Sequence, residues 1–171
     1  MKFHTGTILE PPCTAIAHQC NCVTSGRGTA KGVAKLIFEK FPYADMYLIR
    51  ARRPGYYTEP GHVHVGDPNA PTRGLLVNDP KKPWVFNLVA QRRPGRVRGF
   101  DDETPEDRIR WFAQCLEETA HFMRHRQLNE LAVPYEIGCG LAGGVWRNYR
   151  RVLHDWEKLY GIAVHVVALP D

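Results

Sequence analysis

An α/β fold, with helices on both faces of one mixed sheet, is what this sequence predicts. Three observations carry that expectation. Apolar β-prone runs alternate with runs at helical spacing along the chain. The central β-prone runs are short and broken by Pro, Gly and Asp, which suits a mixed rather than a purely parallel sheet. Two glycine-rich segments each follow an apolar strand and precede a helical stretch.

In order, residues 5–9 and 15–23 read as strands, and the second runs into TSGRGTAKG. The stretch VAKLIFEKF then places Val33, Ile37 and Phe41 on one stripe, with Ala34 and Phe38 beside it, which predicts a helix. HVHVG, GLLVN and WVFNLVA read as short strands, and residues 50–60 and 92–103 as loops. Thr104-Pro105-Glu106-Asp107 is a helix start: Thr caps, Pro suits the first helical position, and acids suit the positive end of the helix dipole. Ile109, Phe112, Leu116, Ala120 and Met123 carry that helix to about residue 126. LAVPY predicts a buried strand. Trp146, Tyr149, Leu153, Trp156 and Tyr160 mark a further amphipathic helix, and IAVHVVAL the last strand. Trp111, Trp146 and Trp156 fit core positions.

The chain has 171 residues and 43% apolar content, which suits one domain over residues 1–171 and a sizeable core. No apolar run is long enough to span a membrane, and the N-terminal stretch lacks a signal-peptide pattern, so the expected compartment is cytoplasmic. Five cysteines without a disulfide-like spacing predict reduced thiols. The formal charge of +5 and the isoelectric point near 9.0 favour anionic partners. RARR and QRRPGRVRG carry much of that excess.

EIGCGLAGG packs four glycines into nine positions. Where a strand gives way to a helix, unpaired N–H groups and a partial positive charge meet, and glycines let phosphate oxygens approach the main chain. Both glycine segments therefore predict a pyrophosphate held between loops. Neither ends in the Gly-Lys-Ser/Thr of a Walker loop, and neither is a dinucleotide fingerprint with its acidic residue in place. An ordinary NTPase or Rossmann dehydrogenase is not expected on that ground.

HQCNCVTSGRGTAKGVAKLIFEKFP, NLVAQ and AVPYEIGCGLAGGVW, in that order, resemble the macro domain. The resemblance is nearest to the branch of ADP-ribose-1″-phosphate phosphatases and terminal ADP-ribose hydrolases. It implies a three-layer α/β/α macro domain whose cleft binds ADP-ribose. It implies that Gly32, Val33 and Ala34 hold the distal ribose and part of the pyrophosphate, and that Asn21 contacts the distal ribose. Ile137, Gly138, Cys139, Gly140, Leu141 and Ala142 would wrap the phosphates. Thr7 and Ile8 would lie near the adenine, where the family usually has an Asp for the base amine and this chain has Thr7. Val167 stands where an aromatic residue is common. Gln91 takes the place of a catalytic Lys, and Ala142 that of an Asp, and a Gln can neither form a Schiff base nor take a proton. Asn21 and Gln91 are the candidate catalytic positions, in water attack assisted by loop N–H groups. The implied activity is hydrolysis at the distal ribose, most plainly loss of a 1″-phosphate. The alternatives are a non-catalytic reader of ADP-ribose and a de-ADP-ribosylating hydrolase acting on nucleic acid or protein.

Other clusters favour plainer readings. His18, Cys20 and Cys22 alternate, but a flat strand does not wrap three ligands round zinc, so buried thiols and a core His are expected, with Asn21 on the opposite face. Neither a metal nor a cofactor is expected. Cys139, near an expected helix N-terminus, is a possible stabilised thiolate. Arg92, Arg93, Arg96 and Arg98 are candidates either for weak nucleic-acid contact or for clamping a terminal phosphate.

Overall fold

The computed structural model describes residues 1–23, 30–53, 59–70, 82–99 and 102–170. Among them, six strands form one sheet: β1 (Lys2–Thr5), β2 (Ala15–Asn21), β3 (His62–Gly66), β4 (Trp84–Gln91), β5 (Glu130–Pro134) and β6 (Ala163–Ala168). Their order across the sheet is β1-β6-β5-β2-β4-β3, with every pairing parallel except the antiparallel β3–β4 edge. The sheet is therefore mixed, as its broken central strands predict. Helices α1 (Gly32–Lys40), α2 (Met46–Arg52), α3 (Pro105–His125) and α4 (Trp146–Tyr160) cover it.

Each face of the sheet has its own core. On one, Phe112, Leu116 and Met123 of α3 and Tyr149, Leu153 and Trp156 of α4 pack on Phe86, Leu88 and Val164. On the other, Ile37 and Phe38 of α1 and Met46 of α2 pack on Ile16, Val85 and Val89. A strand covered on both faces is apolar along its length, and WVFNLVA is such a strand. α3 opens on the reciprocal cap its sequence promises. Thr104 accepts from the Asp107 N–H at 3.0 Å, and Asp107 accepts from the Thr104 N–H at 2.9 Å. Trp156 is core, whereas Trp111 and Trp146 are only partly buried at its margin.

The first strand lies at Lys2–Thr5 rather than residues 5–9. It is an edge strand with Phe3 53% exposed, so no apolar alternation marks it, and Thr7 begins a turn closed by Glu10 N–H on the Thr7 carbonyl at 3.0 Å. β2 stops at Asn21 because a bulge shifts its register against β4 between Cys20 and Asn21. Residues 50–52, read as loop, end α2, whose N-cap Asp45 accepts from the Leu48 N–H at 2.9 Å. The expected strand GLLVN, and residues 24–29 of the first glycine segment, lie outside the described residues.

One polar chain crosses the interior. His18 donates to Asn87 Oδ1 at 2.6 Å, and Asn87 Nδ2 donates to the Ala44 carbonyl at 3.0 Å and to His64 Nδ1 at 3.2 Å. Burial pushes the His18 imidazole down to about 4, against the opposing pull of its Asn87 bond. Burial, with the Arg50 charge, also lowers His64. Below its ordinary pKa near 6.5, His18 is protonated in the unfolded chain but not in the folded one, so stability falls as pH drops towards 4. Between pH 7 and pH 5 the His18 contribution to that loss should be roughly 2 kcal/mol. Urea unfolding at the two pH values should show the lower midpoint at pH 5. His18→Gln, which keeps an N–H donor for Asn87, should flatten most of the difference.

Candidate functional site

The C-terminal ends of β2, β4 and β5 open on a cavity of about 820 Å³. Crevices at the carboxyl ends of parallel strands are where α/β sheets bind ligands. The first turn of α1, at Gly32, Val33 and Ala34, forms one wall. Its N-cap, Lys31, is extended and makes no side-chain cap bond, and the first turn holds no acid, so among the described residues no side chain caps this helix end at the cavity. Ile137, Gly138, Gly140, Leu141 and Ala142 form the facing wall. The two walls touch where Gly32 meets Leu141: a Cβ on Gly32 would stand 3.1 Å from Leu141 Cδ1.

The glycines of the second segment have different causes. Gly138 has φ +76°, and a Cβ there would strike the Tyr149 ring at 2.5 Å. Gly143 has φ +72° and is covered by the Arg96 side chain. A Cβ on Gly144 would meet Tyr149 and the Gly138 carbonyl. Those three are demanded by the fold. Gly140 is not: its φ is not in the left-handed region, and a Cβ there would meet nothing within 4 Å. Among the described residues, the N–H groups of Gly140, Leu141 and Ala142 have no protein acceptor. They form a short run of donors at the cavity wall.

No family model and no curated protein matches this chain. Solved structures do. The macrodomain of Thermus aquaticus DarG superposes with a TM-score of 0.64 at 20% identity, over 99% of this chain and 97% of that one. The macrodomain of Mycobacterium tuberculosis DarG gives 0.69 at 18% identity, over 99% and 97%. Thermosipho africanus DarTG in complex with ADP-ribose gives 0.66 at 18% identity, over 99% of this chain and 42% of that longer one. The fold is that of the macrodomains.

Within this macrodomain fold, both candidate catalytic side chains border the cavity, and both are tied down. Asn21 donates from Nδ2 to Tyr47 Oη at 3.0 Å, and its Oδ1 accepts from the Val23 N–H at 3.1 Å. The bulge is what turns its amide to Tyr47, a residue that also abuts Cys20, so Asn21 does not point to the opposite face as strict alternation requires. Gln91 accepts from Gln19 Nε2 at 2.7 Å and donates to the Arg93 carbonyl at 2.9 Å. Neither amide can take a proton. Lys31 and Glu136 are the lysine and the carboxylate among the described lining residues, and sequence patterns marked neither. Glu136 holds a left-handed φ of 56°, a detail visible only in coordinates.

Three expected ligand residues stand outside the lining. Thr7 spends its hydroxyl accepting from the Leu9 N–H at 3.2 Å. Ile8 is buried in the core under α1 and α2, as is Val167. Cys139 turns its thiol to the Ile137 carbonyl at 3.4 Å, and burial pushes it up to about 11, against the stabilised thiolate expected beside a helix N-terminus. The reason is spacing: α4 begins only at Trp146, and its N-terminus faces a smaller recess of about 400 Å³ between Arg96 and Arg108.

The candidate arginines of the basic loop stand back from the cavity. That loop touches the cavity through Pro94 and Gly95, and none of Arg92, Arg93, Arg96 and Arg98 lines it. Arg92 reaches Glu59 and Asp102, both at 3.5 Å, and Arg93 reaches Asp102 at 3.2 Å. Arg96 lies against Gly143. Arg98 has interactions of its own. What fixes the loop is Glu103, whose carboxylate accepts from the Arg92 and Arg93 N–H groups at 2.7 and 3.1 Å. Arg108 pairs with Glu103 at 2.6 Å and donates to the carbonyls of Arg93, Gly95 and Ala142. One buried ion pair thus joins the basic loop to the second glycine segment. Removing one partner of such a pair leaves an uncompensated charge, at a cost of about 3–5 kcal/mol. Arg108→Met should lower the denaturant midpoint by that order. The Glu103→Gln/Arg108→Met double variant should recover part of it, and equal losses in the two variants would contradict the pairing.

Proposed function

We propose that this chain binds ADP-ribose, or a derivative substituted at C1″ of the distal ribose, in the cavity between the α1 N-terminus and residues 137–142. The observation that carries the reading is Gly140. It is the glycine of its segment that the fold does not require, and it stands at the cavity wall as the first of three consecutive N–H donors without an acceptor among the described residues. A diphosphate laid against that wall meets main-chain donors on one side and the uncapped α1 N-terminus on the other. A side chain at Gly140 would occupy the place of its oxygens. The cavity volume of about 820 Å³ suits a nucleotide-sized ligand. The Thermosipho africanus relative in complex with ADP-ribose shares the fold and supports the choice of ligand.

Hydrolysis at the distal ribose, as in removal of a 1″-phosphate, is the second reading, and Asn21 favours it. Its amide is held rigidly by Tyr47 and the Val23 N–H at the cavity edge, so it can orient a ribose hydroxyl or a water. The chemistry would then rest on water polarised by the substrate phosphate and loop N–H groups, without a protein base at Gln91. A non-catalytic reader uses the same contacts.

Calorimetric titration with ADP-ribose tests the binding. Gly140→Val should fold normally, since its Cβ meets no neighbour, and should nearly abolish binding. Unchanged affinity in the folded variant removes the cradle. Mono-ADP-ribosyl glutamate esters should be turned over poorly, because Gln91 is an amide already engaged at both ends. Rapid release of ADP-ribose from such esters, followed by chromatography, would point to a catalytic group elsewhere.

A further inference from the structure

Tyr135 and Glu136 follow directly on β5, and both line the cavity. Tyr135 is 44% exposed. Its ring stands edge-to-face on Trp146 with 5.3 Å between centroids, and its N–H donates to the Val167 carbonyl at 2.8 Å. Contacts from α4 and β6 thus fix ring and backbone while aromatic surface stays open. A ring held in this way at a cavity wall is a platform on which a flat ligand stacks.

Glu136 takes the third position of a tight turn, closed by the Ile137 N–H on the Pro134 carbonyl at 3.1 Å. Its φ of 56° is left-handed, and a left-handed third position favours glycine or asparagine. The chain places a carboxylate there instead. Among the described residues that carboxylate has no ion-pair partner, Lys31 at the α1 wall included. Strand order sets which end of a ligand it meets. β5 lies beside β2, and β2 beside β4, so the β5 exit stands two strand spacings, about 10 Å, from the β4 exit at Gln91. A diphosphate along residues 140–142, with its distal ribose at Asn21 on the β4 side, carries its other half towards Tyr135 and Glu136.

We infer that Tyr135 and Glu136 read the base of the bound nucleotide: the ring stacks on it, and the carboxylate accepts from its exocyclic amine and so selects adenine over a 6-oxo purine. The inference rests on the ADP-ribose binding proposed above. A carboxylate only accepts hydrogen bonds, so an amine satisfies it, whereas a carbonyl oxygen in the same place leaves both groups unpaired. Sites built on such a bond reject the analogue that lacks it. Thr7 and Ile8, the residues expected near the adenine, stand outside the lining, and Glu136 is the carboxylate that the described lining offers.

The test is calorimetric titration with ADP-ribose and with inosine diphosphate ribose, its 6-oxo counterpart. The wild-type chain should bind ADP-ribose about tenfold more tightly than the 6-oxo ligand. Glycine suits the left-handed φ, so Glu136→Gly should fold, and it should lose about tenfold in ADP-ribose affinity while the 6-oxo ligand stays within about twofold. Glu136→Gln keeps the side-chain length and gains a donor for the 6-oxo group, so it should narrow the preference by a similar factor. Tyr135→Ala should weaken both ligands about fivefold or more, and Tyr135→Phe neither. Equal wild-type affinities, or an unaltered preference in both Glu136 variants, overturn the base reading. Loss of ADP-ribose binding in Gly140→Val then shows that the diphosphate wall stands without it. If the wild-type chain binds neither nucleotide, the proposed function falls and the base reading with it.

Discussion

The cleft depends on the Glu103–Arg108 pair more than on any helix or strand around it. A loop such as 92–99, with one proline, two glycines and four arginines, has little apolar surface to bury and repels itself. The basic charge cannot hold it, and the surface contacts with Glu59 and Asp102 are worth little in water. Glu103 holds it instead, by taking two consecutive main-chain N–H groups on one carboxylate with both side chains of the ion pair nearly fully buried. Arg108 extends the same connection across to Ala142 and so fixes the wall that ends in Gly140. The capping box at Thr104 sets the first turn of α3 and thereby the position of Arg108. Local helix chemistry and the shape of the cavity are in this way one constraint.

The glycine segment separates two demands that look alike in a sequence. A run of four glycines invites a single explanation, and phosphate binding is the obvious one. The coordinates divide it. Tyr149 stands behind Gly138 and Gly144, Arg96 behind Gly143, and nothing behind Gly140. Three glycines let the loop pack on its own protein, and one leaves the cavity wall bare. The sequence could show that the main chain must be bare here, but the reason at each position depends on side chains remote in the chain.

Much of the fold was legible because it follows local rules. The α3 start was readable from Thr104, Pro105 and Asp107, and the buried strands from their apolar runs. Failures came where a residue's role is set from far away. Lys2–Thr5 is a strand because β6 pairs with it, not because its own pattern demands it. Residues 50–52 looked like a solvated basic loop, since a run of arginines does not announce that one will turn inward onto Tyr47. Asn21 was assigned by alternation, and the bulge between Cys20 and Asn21 cancels alternation at that residue. Glu103 and Arg108 are five residues apart and carry no motif; only the shared burial of loop and helix reveals them.

Arg108 and Arg50, both buried, hold the same charge in different settings. Arg108 has a carboxylate and three carbonyls on its terminal nitrogens, so its charge is spent inside the protein and the result is rigidity. Arg50 is buried as deeply, yet its nitrogens have no hydrogen-bond partner among the described residues and its guanidinium lies over the Tyr47 ring. The Tyr47 hydroxyl is committed to Asn21, so the ring beneath the Arg50 charge also fixes the amide at the cavity edge.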